Sequence, residues 1–257
     1  MRYYVTADVH GFYSQLRTAL SLQGFFEDTE PHKLIICGDL YDRGTQALQL
    51  QAFLLELMEK DQVILIRGNH EDLTEQLLNG WHRRSFLQAH HNTNGTVDTV
   101  CQLTGAGIGE LLDCPEQVGR RFLRDPFIQT VLPSMVDCFE TEHYIFVHGW
   151  IPCTAVSVGS HQMEYTPIPQ WRNADKPLWD RARWINGMEA AHHGIREPGK
   201  TIVCGHWHCS FGHSAYEKDG SEFGHDANFS PYQAEGILAL DACTALSGKV
   251  NCVVIED

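Results

Sequence analysis

Five short clusters in this 257-residue chain carry side chains suited to metal chemistry. They are Asp8-Val9-His10-Gly11, Gly38-Asp39-Leu40-Tyr41-Asp42-Arg43-Gly44, Gly68-Asn69-His70-Glu71, His148-Gly149 and Gly205-His206-Trp207-His208. Asp and Asn offer oxygen, and His offers an imidazole nitrogen. That mixture suits borderline divalent cations such as Mn, Fe or Zn better than Ca, which prefers oxygen alone. A glycine beside the candidate ligands lets the backbone turn tightly and approach an ion closely. Any one cluster could be a turn following a strand, since Asp and Asn are common there. Five of them, in a chain with 15 His, call for a common explanation.

Each cluster follows a run that reads as a strand. Residues 3–6, 33–37, 63–66, 144–147 and 201–204 are rich in β-branched or aromatic side chains and end in polar, Gly-containing segments. Between the early runs, residues 13–22 place Leu16, Ala19 and Leu20 on one helical face, and residues 46–60 do the same with Leu50, Leu54, Leu57 and Met58. Strands alternating with helices about every 30 residues predict βαβ units and a parallel sheet. Crossovers of one hand leave the first three strand ends on the same edge, where ligands of open α/β sheets bind. Clusters far apart in sequence therefore converge. Residues 136–140 predict a further strand, and 236–241 with 249–255 predict a hairpin around Ser247-Gly248. Residues 81–132 read as a helical insertion or cap on a single domain.

Composition narrows the function. At 43% hydrophobic and 20% charged, the chain is ordinary for a globular protein. A formal net charge of −14 argues against a nucleic-acid partner, whose binding is driven by Lys and Arg. The start lacks the apolar core of a signal peptide, and no apolar run reaches the length of a membrane span. The nine cysteines are scattered, with no Cys-x-x-Cys pair, which predicts reduced thiols and a cytoplasmic location. Cys37 and Cys204 lie within strand runs and read as core.

In order and spacing, the Asp-x-His-Gly, Gly-Asp-x-x-Asp-Arg-Gly and Gly-Asn-His-Glu blocks, with the two later His motifs, resemble the calcineurin-like metallophosphoesterase superfamily. Within it, the chain is similar to the bacterial and phage phosphoprotein phosphatases. The likeness frames almost the whole chain apart from residues 81–132. It implies an α/β fold of two mixed β-sheets packed as a sandwich and flanked by helices, with the active site at the C-terminal strand ends. It implies two divalent metal ions, Mn²⁺ by preference and Fe or Zn otherwise. Asp8 and His10 would hold the first metal, Asp39 would bridge both, and Asn69, His148 and His206 would hold the second. Arg43 would contact phosphate oxygens, and His70, oriented by Asp42, would protonate the leaving alkoxide. A second phosphate-binding arginine is expected in Leu178-Trp179-Asp180-Arg181-Ala182-Arg183; Arg181 is preferred because it follows Leu-Trp-Asp, with Arg183 the alternative. His208, two residues beyond His206 on an extended segment, is expected to reach the first metal.

The activity implied is hydrolysis of phosphomonoesters by a metal-bridging hydroxide. The expected substrate is phosphoserine or phosphothreonine in proteins, phosphotyrosine too if the cleft is open, or a small phosphoester. The alternative is a dinucleoside polyphosphate hydrolase, a branch sharing the Asp-x-His-Gly-x-Tyr start at residues 8–13. Trp150, Trp171 and Trp207 lie near motifs where they could stack on bases, and Arg83, Arg84, Arg120, Arg121 and Arg124 of the insertion could supply extra cations. A catalytically silent metal-binding module is disfavoured because the Asp42/His70 pair accompanies the ligands.

Overall fold

Strand β1 (Arg2–Thr6) sends Tyr3 and Val5 to one face of its sheet and Tyr4 to the other, and this period-two division organises the fold. The computed structural model describes residues 1–82, 87–158 and 163–257. The strands after β1 are β2 (His32–Cys37), β3 (Val63–Ile66), β4 (Phe139–Glu140), β5 (Tyr144–Phe146), β6 (Cys153–Ser157), β7 (Met163–Pro167), β8 (Thr201–Cys204), β9 (Tyr232–Ala234), β10 (Ile237–Ala239) and β11 (Cys252–Glu256). One sheet has the order β11-β1-β2-β3, with β1, β2 and β3 parallel and β11 antiparallel to β1. The other has the order β4-β5-β8-β10-β9, with β5, β8 and β10 parallel and antiparallel strands at both edges. Both sheets are therefore mixed.

The inner faces meet in a core of Tyr3, Val5, Ile35, Cys37, Phe146 and Val203. The outer face of the first sheet packs Tyr4, Leu34, Ile36 and Leu65 against the helices Tyr13–Leu22 and Ala47–Glu59, whose Leu16, Leu20, Leu50 and Leu54 are fully buried. Each such side chain contributes about 1.5–3 kcal/mol on burial. The second sheet covers Ile145, Ile202 and Ile237 with Trp179 and Met188 from the helices Lys176–Ala182 and Gly187–His192. The insertion is helical, with Thr96–Thr104, Ile108–Asp113 and Pro115–Phe122 adding Val97, Val100, Leu111 and Phe122 to the first core.

One expectation is corrected by the strand pairing. The tail is not a hairpin: β10 pairs with β8 and β9 in one sheet, while β11 pairs with β1 in the other. The helix Thr244–Ser247 fills the connection, so the chain crosses between sheets instead of reversing. The actual hairpin is β9–β10, turned at Gly236 with φ of 76°. The antiparallel ribbon β6–β7 was not foreseen, and its exposed residues carry little apolar pattern. All nine cysteines are free, and among the described residues no helix is long and apolar enough to cross a membrane.

Parallel strands carry the clusters to one edge. Asp8, Asp39 and Asn69 follow β1, β2 and β3, while His148 and His206 follow β5 and β8. Backbone bonds from Asp8 N to the Gly38 carbonyl and from Gly205 N to the His148 carbonyl stitch neighbouring loops within each sheet. The His206 amide donates to both Asp8 carboxylate oxygens, at 3.1 and 2.9 Å, joining the two sheets.

Candidate active site

The loops at this edge are held in an unusual backbone conformation. Asp8, His10, Asp39, Asp42, Arg43 and His206 all have positive φ, from 49° to 73°. For residues with a Cβ this costs about 1–3 kcal/mol each, and it persists only where the surroundings over-determine it. Here they do. His10 N donates to the Asp39 carbonyl at 2.9 Å, Gly11 N to the Leu40 carbonyl at 2.7 Å, and Gly44 N to the His10 carbonyl at 2.7 Å. The buried Glu71 carboxylate accepts from the amides of Asp39, Leu40 and Gly68 at 3.1, 3.0 and 2.7 Å, tying the loop after β2 to the loop after β3. Burial, with the Asp39 charge nearby, pushes the Glu71 carboxyl up to about 7. Glycine is required beside these groups. A Cβ on Gly68 would stand 2.1 Å from Asp39 Oδ1, and one on Gly205 would stand 2.0 Å from Asp8 Oδ2.

The imidazoles are oriented by the backbone. His10 Nδ1 lies 2.9 Å from the Tyr41 carbonyl, and His148 Nδ1 lies 2.9 Å from the Cys37 carbonyl. A carbonyl can only accept, so each Nδ1 carries a hydrogen and each ring turns its Nε2 into the site. His10 Nε2 is 3.7 Å from Asp39 Oδ2, and His148 Nε2 is 3.4 Å from Asp39 Oδ1. His148 Nε2 also faces Asn69 Oδ1 at 2.8 Å, so both candidate ligand atoms converge on one point. Burial lowers the pKa of His10 well below its ordinary value and that of His206 to about 3, keeping both rings in the neutral form that binds metals. The Asp8 carboxyl is pushed well up by burial and by the charges of Asp241 and Asp39. Buried carboxylates among neutral imidazoles lack compensating charge, and divalent cations supply it. The potential ligand atoms fall into two groups, His10/Asp39/His70 and Asp39/His148/His206, each within 4.8 Å, with Asp39 common to both. This donor set fits two borderline dications sharing one carboxylate.

His70, a member of the first of these groups, also forms a buried acid–base pair. His70 Nδ1 is 2.7 Å from Asp42 Oδ2, and Asp42 accepts further bonds from Thr96 Oγ1 at 2.9 Å and Thr99 Oγ1 at 2.7 Å. Both threonines belong to the insertion, which therefore braces the site. Burial alone would lower the His70 pKa, but the Asp39 and Asp42 carboxylates outweigh it and hold it above the ordinary value. Arg43 is exposed, with Nη2 3.4 Å from His70 Nε2. Arg181 is exposed in the last turn of Lys176–Ala182, without a side-chain partner among the described residues.

Several expected site residues lie elsewhere or are otherwise engaged. Arg183 is only 3% exposed and is locked to Asp72 (2.7 Å), Asp137 (2.6 Å) and Asp180, so its guanidinium is consumed structurally and is not offered to phosphate. His208 stands outside both ligand groups. Its Nε2 is 3.0 Å from Glu222 Oε1, and its ring stacks on Trp207 and tilts against Phe223. That is the contact of a loop-ordering residue. Trp150 is 1% exposed and donates Nε1 to the Ile195 carbonyl; Trp171 is 5% exposed and donates to Glu197, so both are core rather than stacking platforms. Arg120 and Arg121 pair with Glu116 and Glu110, and Arg83 and Arg84 lie outside the described residues.

Two neighbours of the site were missed. Asp241, just after β10, is buried close enough to Asp8 to act on its charge, and its Oδ1 accepts from Cys243 N at 2.7 Å. Like Asp8 and Asp39, it is an acid ending an apolar strand run, and that signal was available. Trp184 is half exposed, with its ring centroid 5.8 Å from that of His206.

Comparison with known proteins places this geometry. A family model described as calcineurin-like phosphoesterase matches residues 1–210. The chain is 27% identical to serine/threonine-protein phosphatase 2 of Salmonella typhimurium over 203 residues, covering 79% of this chain and 78% of that protein. It is 29% identical to the asymmetrical bis(5'-nucleosyl)-tetraphosphatase PrpE of Bacillus velezensis over 130 residues, 48% of each chain. In fold it is similar to a cold-active protein tyrosine phosphatase, at a TM-score of 0.51 and 16% identity, covering 99% of this chain and 73% of the other. With a match that spans all five motif clusters, the chain belongs to the calcineurin-like phosphoesterase family, whose members are metal-dependent hydrolases.

Proposed function

We propose that this protein is a binuclear metal-dependent phosphatase acting on phosphoserine and phosphothreonine in proteins, with phosphotyrosine also accepted. The observation that carries the reading is the His70–Asp42 pair set against ligand groups that share Asp39. When bound, two divalent cations, Mn²⁺ in this reading, supply Lewis acidity toward the phosphoryl oxygens and the attacking water. Asp8 and His10 would hold one cation, Asn69, His148 and His206 would hold the other, and Asp39 would contribute to both. Arg43 and Arg181 clamp the phosphate through the planar fork of guanidinium. Arg43 Nη2 and a protonated His70 Nε2 are two donors 3.4 Å apart, a pairing that an anion between them resolves. His70 gives its Nε2 proton to the departing alkoxide while Asp42 holds Nδ1 and stabilises the charged ring beforehand. The nine free cysteines suit a reducing compartment, and we place the protein in the cytoplasm.

Hydrolysis of dinucleoside polyphosphates is the second reading, favoured by the likeness to the Bacillus tetraphosphatase. The cation supply argues for one phosphate. Among the described residues Arg67, Arg120, Arg121 and Arg183 are matched to carboxylates, and Arg43 and Arg181 are the arginines this reading assigns to the phosphate. The deciding experiment compares kcat/KM for phosphoserine and phosphothreonine peptides with that for a dinucleoside tetraphosphate at equal Mn²⁺. Preference for the peptides supports the proposal. A dinucleotide preference of about a hundredfold, or about 2.7 kcal/mol, transfers the assignment.

A further inference from the structure

The segment after the helix Lys176–Ala182 is tied to the site by more than proximity. The Trp184 backbone hydrogen-bonds the His206 ring, and the Trp184 amide donates to the Arg181 carbonyl at 3.0 Å. The indole of Trp184 stands edge-on to His206, with centroids 5.8 Å apart and planes at 82°. It remains 50% exposed, although its neighbours Ala182, Arg183 and Ile185 are buried. Arg181 lies three residues earlier, in the last turn of the helix Lys176–Ala182. One short segment thus presents an unpartnered guanidinium and an open indole beside a metal-ligand histidine.

We propose that Trp184 is a specificity-determining residue that receives an aromatic leaving group, as in a phosphotyrosyl side chain. The inference rests on the phosphatase reading above. In an aryl phosphate the ring is attached directly to the ester oxygen, so a phosphate held beside His206 delivers the ring to the neighbouring indole. Aromatic pairs prefer centroid separations of about 4.5–7 Å, within reach of this arrangement. In a nucleotide the ribose separates base from phosphate and carries the base past this position. An alkyl phosphate such as phosphothreonine offers no ring there.

The test compares the wild type with Trp184→Ala, Trp184→Leu and Trp184→Phe on phosphotyrosine and phosphothreonine peptides of matched flanking sequence. Metal content is measured for each variant, since the backbone rather than the indole bonds His206. The expected result is a loss of about 2- to 12-fold in kcat/KM on the phosphotyrosine peptide for Ala and Leu, the scale of one aromatic pair. The loss should fall mainly on KM, be restored by Phe, and be under about twofold on phosphothreonine. Equal losses on both peptides would mean that the indole only props His206, and would overturn the proposal. Calorimetric binding of phenylphosphonate against methylphosphonate reads the platform without turnover. A phenyl preference erased by Trp184→Ala upholds it even if the phosphatase reading fails, and equal affinities sink it.

Discussion

Replacing Asp42 by Asn isolates the acid from the metal ligands. Asp42 is buried and takes three bonds, from His70 Nδ1 at 2.7 Å and from the hydroxyls of Thr96 and Thr99. Asparagine keeps the shape and one acceptor oxygen but removes the charge. Of the two carboxylates that raise the His70 pKa, Asp39 is neutralised when cations bind, so Asp42 is the one that keeps His70 protonated in the working enzyme. A hydrogen bond to a charged group is worth about 1.5–3 kcal/mol, or roughly one to two pH units. In the proposed mechanism His70 is the acid, so activity is present below its folded pKa and is lost as pH rises through it. Asp42→Asn should therefore move the alkaline limb of the pH–rate profile down by about one to two units. At pH 7–8 it should slow a phosphoserine peptide by about 10- to 100-fold. For p-nitrophenyl phosphate, whose leaving group departs without a proton, the loss should be much smaller. Stopped-time phosphate release across pH, with metal content measured in parallel, gives both numbers. An equal loss on the two substrates, or an unmoved alkaline limb, refutes the assignment of His70 as the acid.

Other changes separate structural from chemical roles. Arg183→Met removes one of the two arginines on the buried Asp72 and should cost about 3 kcal/mol, the lower end for a broken buried pair because Arg67 remains on Asp72 and because Asp137 and Asp180 are partly exposed. That corresponds to a fall of about 6–12 °C in Tm by calorimetry, with kcat/KM retained at low temperature. Gly68→Ala drives a Cβ into Asp39 Oδ1 and the Asp39 amide, so metal affinity by competition with a chelator should fall by about 10- to 100-fold. His208→Gln should keep both metals and change kcat/KM by no more than about twofold, as measured by metal analysis and assay; loss of one ion would return His208 to the ligand set.

The candidate ligand cluster was legible because its members follow apolar strand runs, and parallel strands leave no choice about which edge those ends share. The two helices of the first βαβ units were equally plain, since Leu16, Leu20, Leu50 and Leu54 repeat at helical spacing and are all buried. The tail misled because two β-rich runs around Ser247-Gly248 look like a hairpin locally, whereas pairing is decided by which sheet has an open edge. Arg181 and Arg183 could not be separated by sequence. Two residues apart on a helical turn they point in different directions, and only the positions of Asp72 and Asp137 show which one is enclosed. Trp150 and Trp171 drew notice by standing near motifs, yet their indole nitrogens find buried partners and their rings fill the core. Trp184 carried no such cue, because its role depends on the loop that brings it against His206.

The proposal that Asp39 joins two metal sites required for hydrolysis is tested by elemental analysis coupled to activity. Protein stripped with a chelator and titrated with Mn²⁺ should regain phosphatase activity as the second equivalent binds, reaching two ions per chain. Asp39→Asn should bind fewer ions and stay inactive at every concentration. Full activity in metal-free protein, or saturation at one ion per chain, would contradict the account.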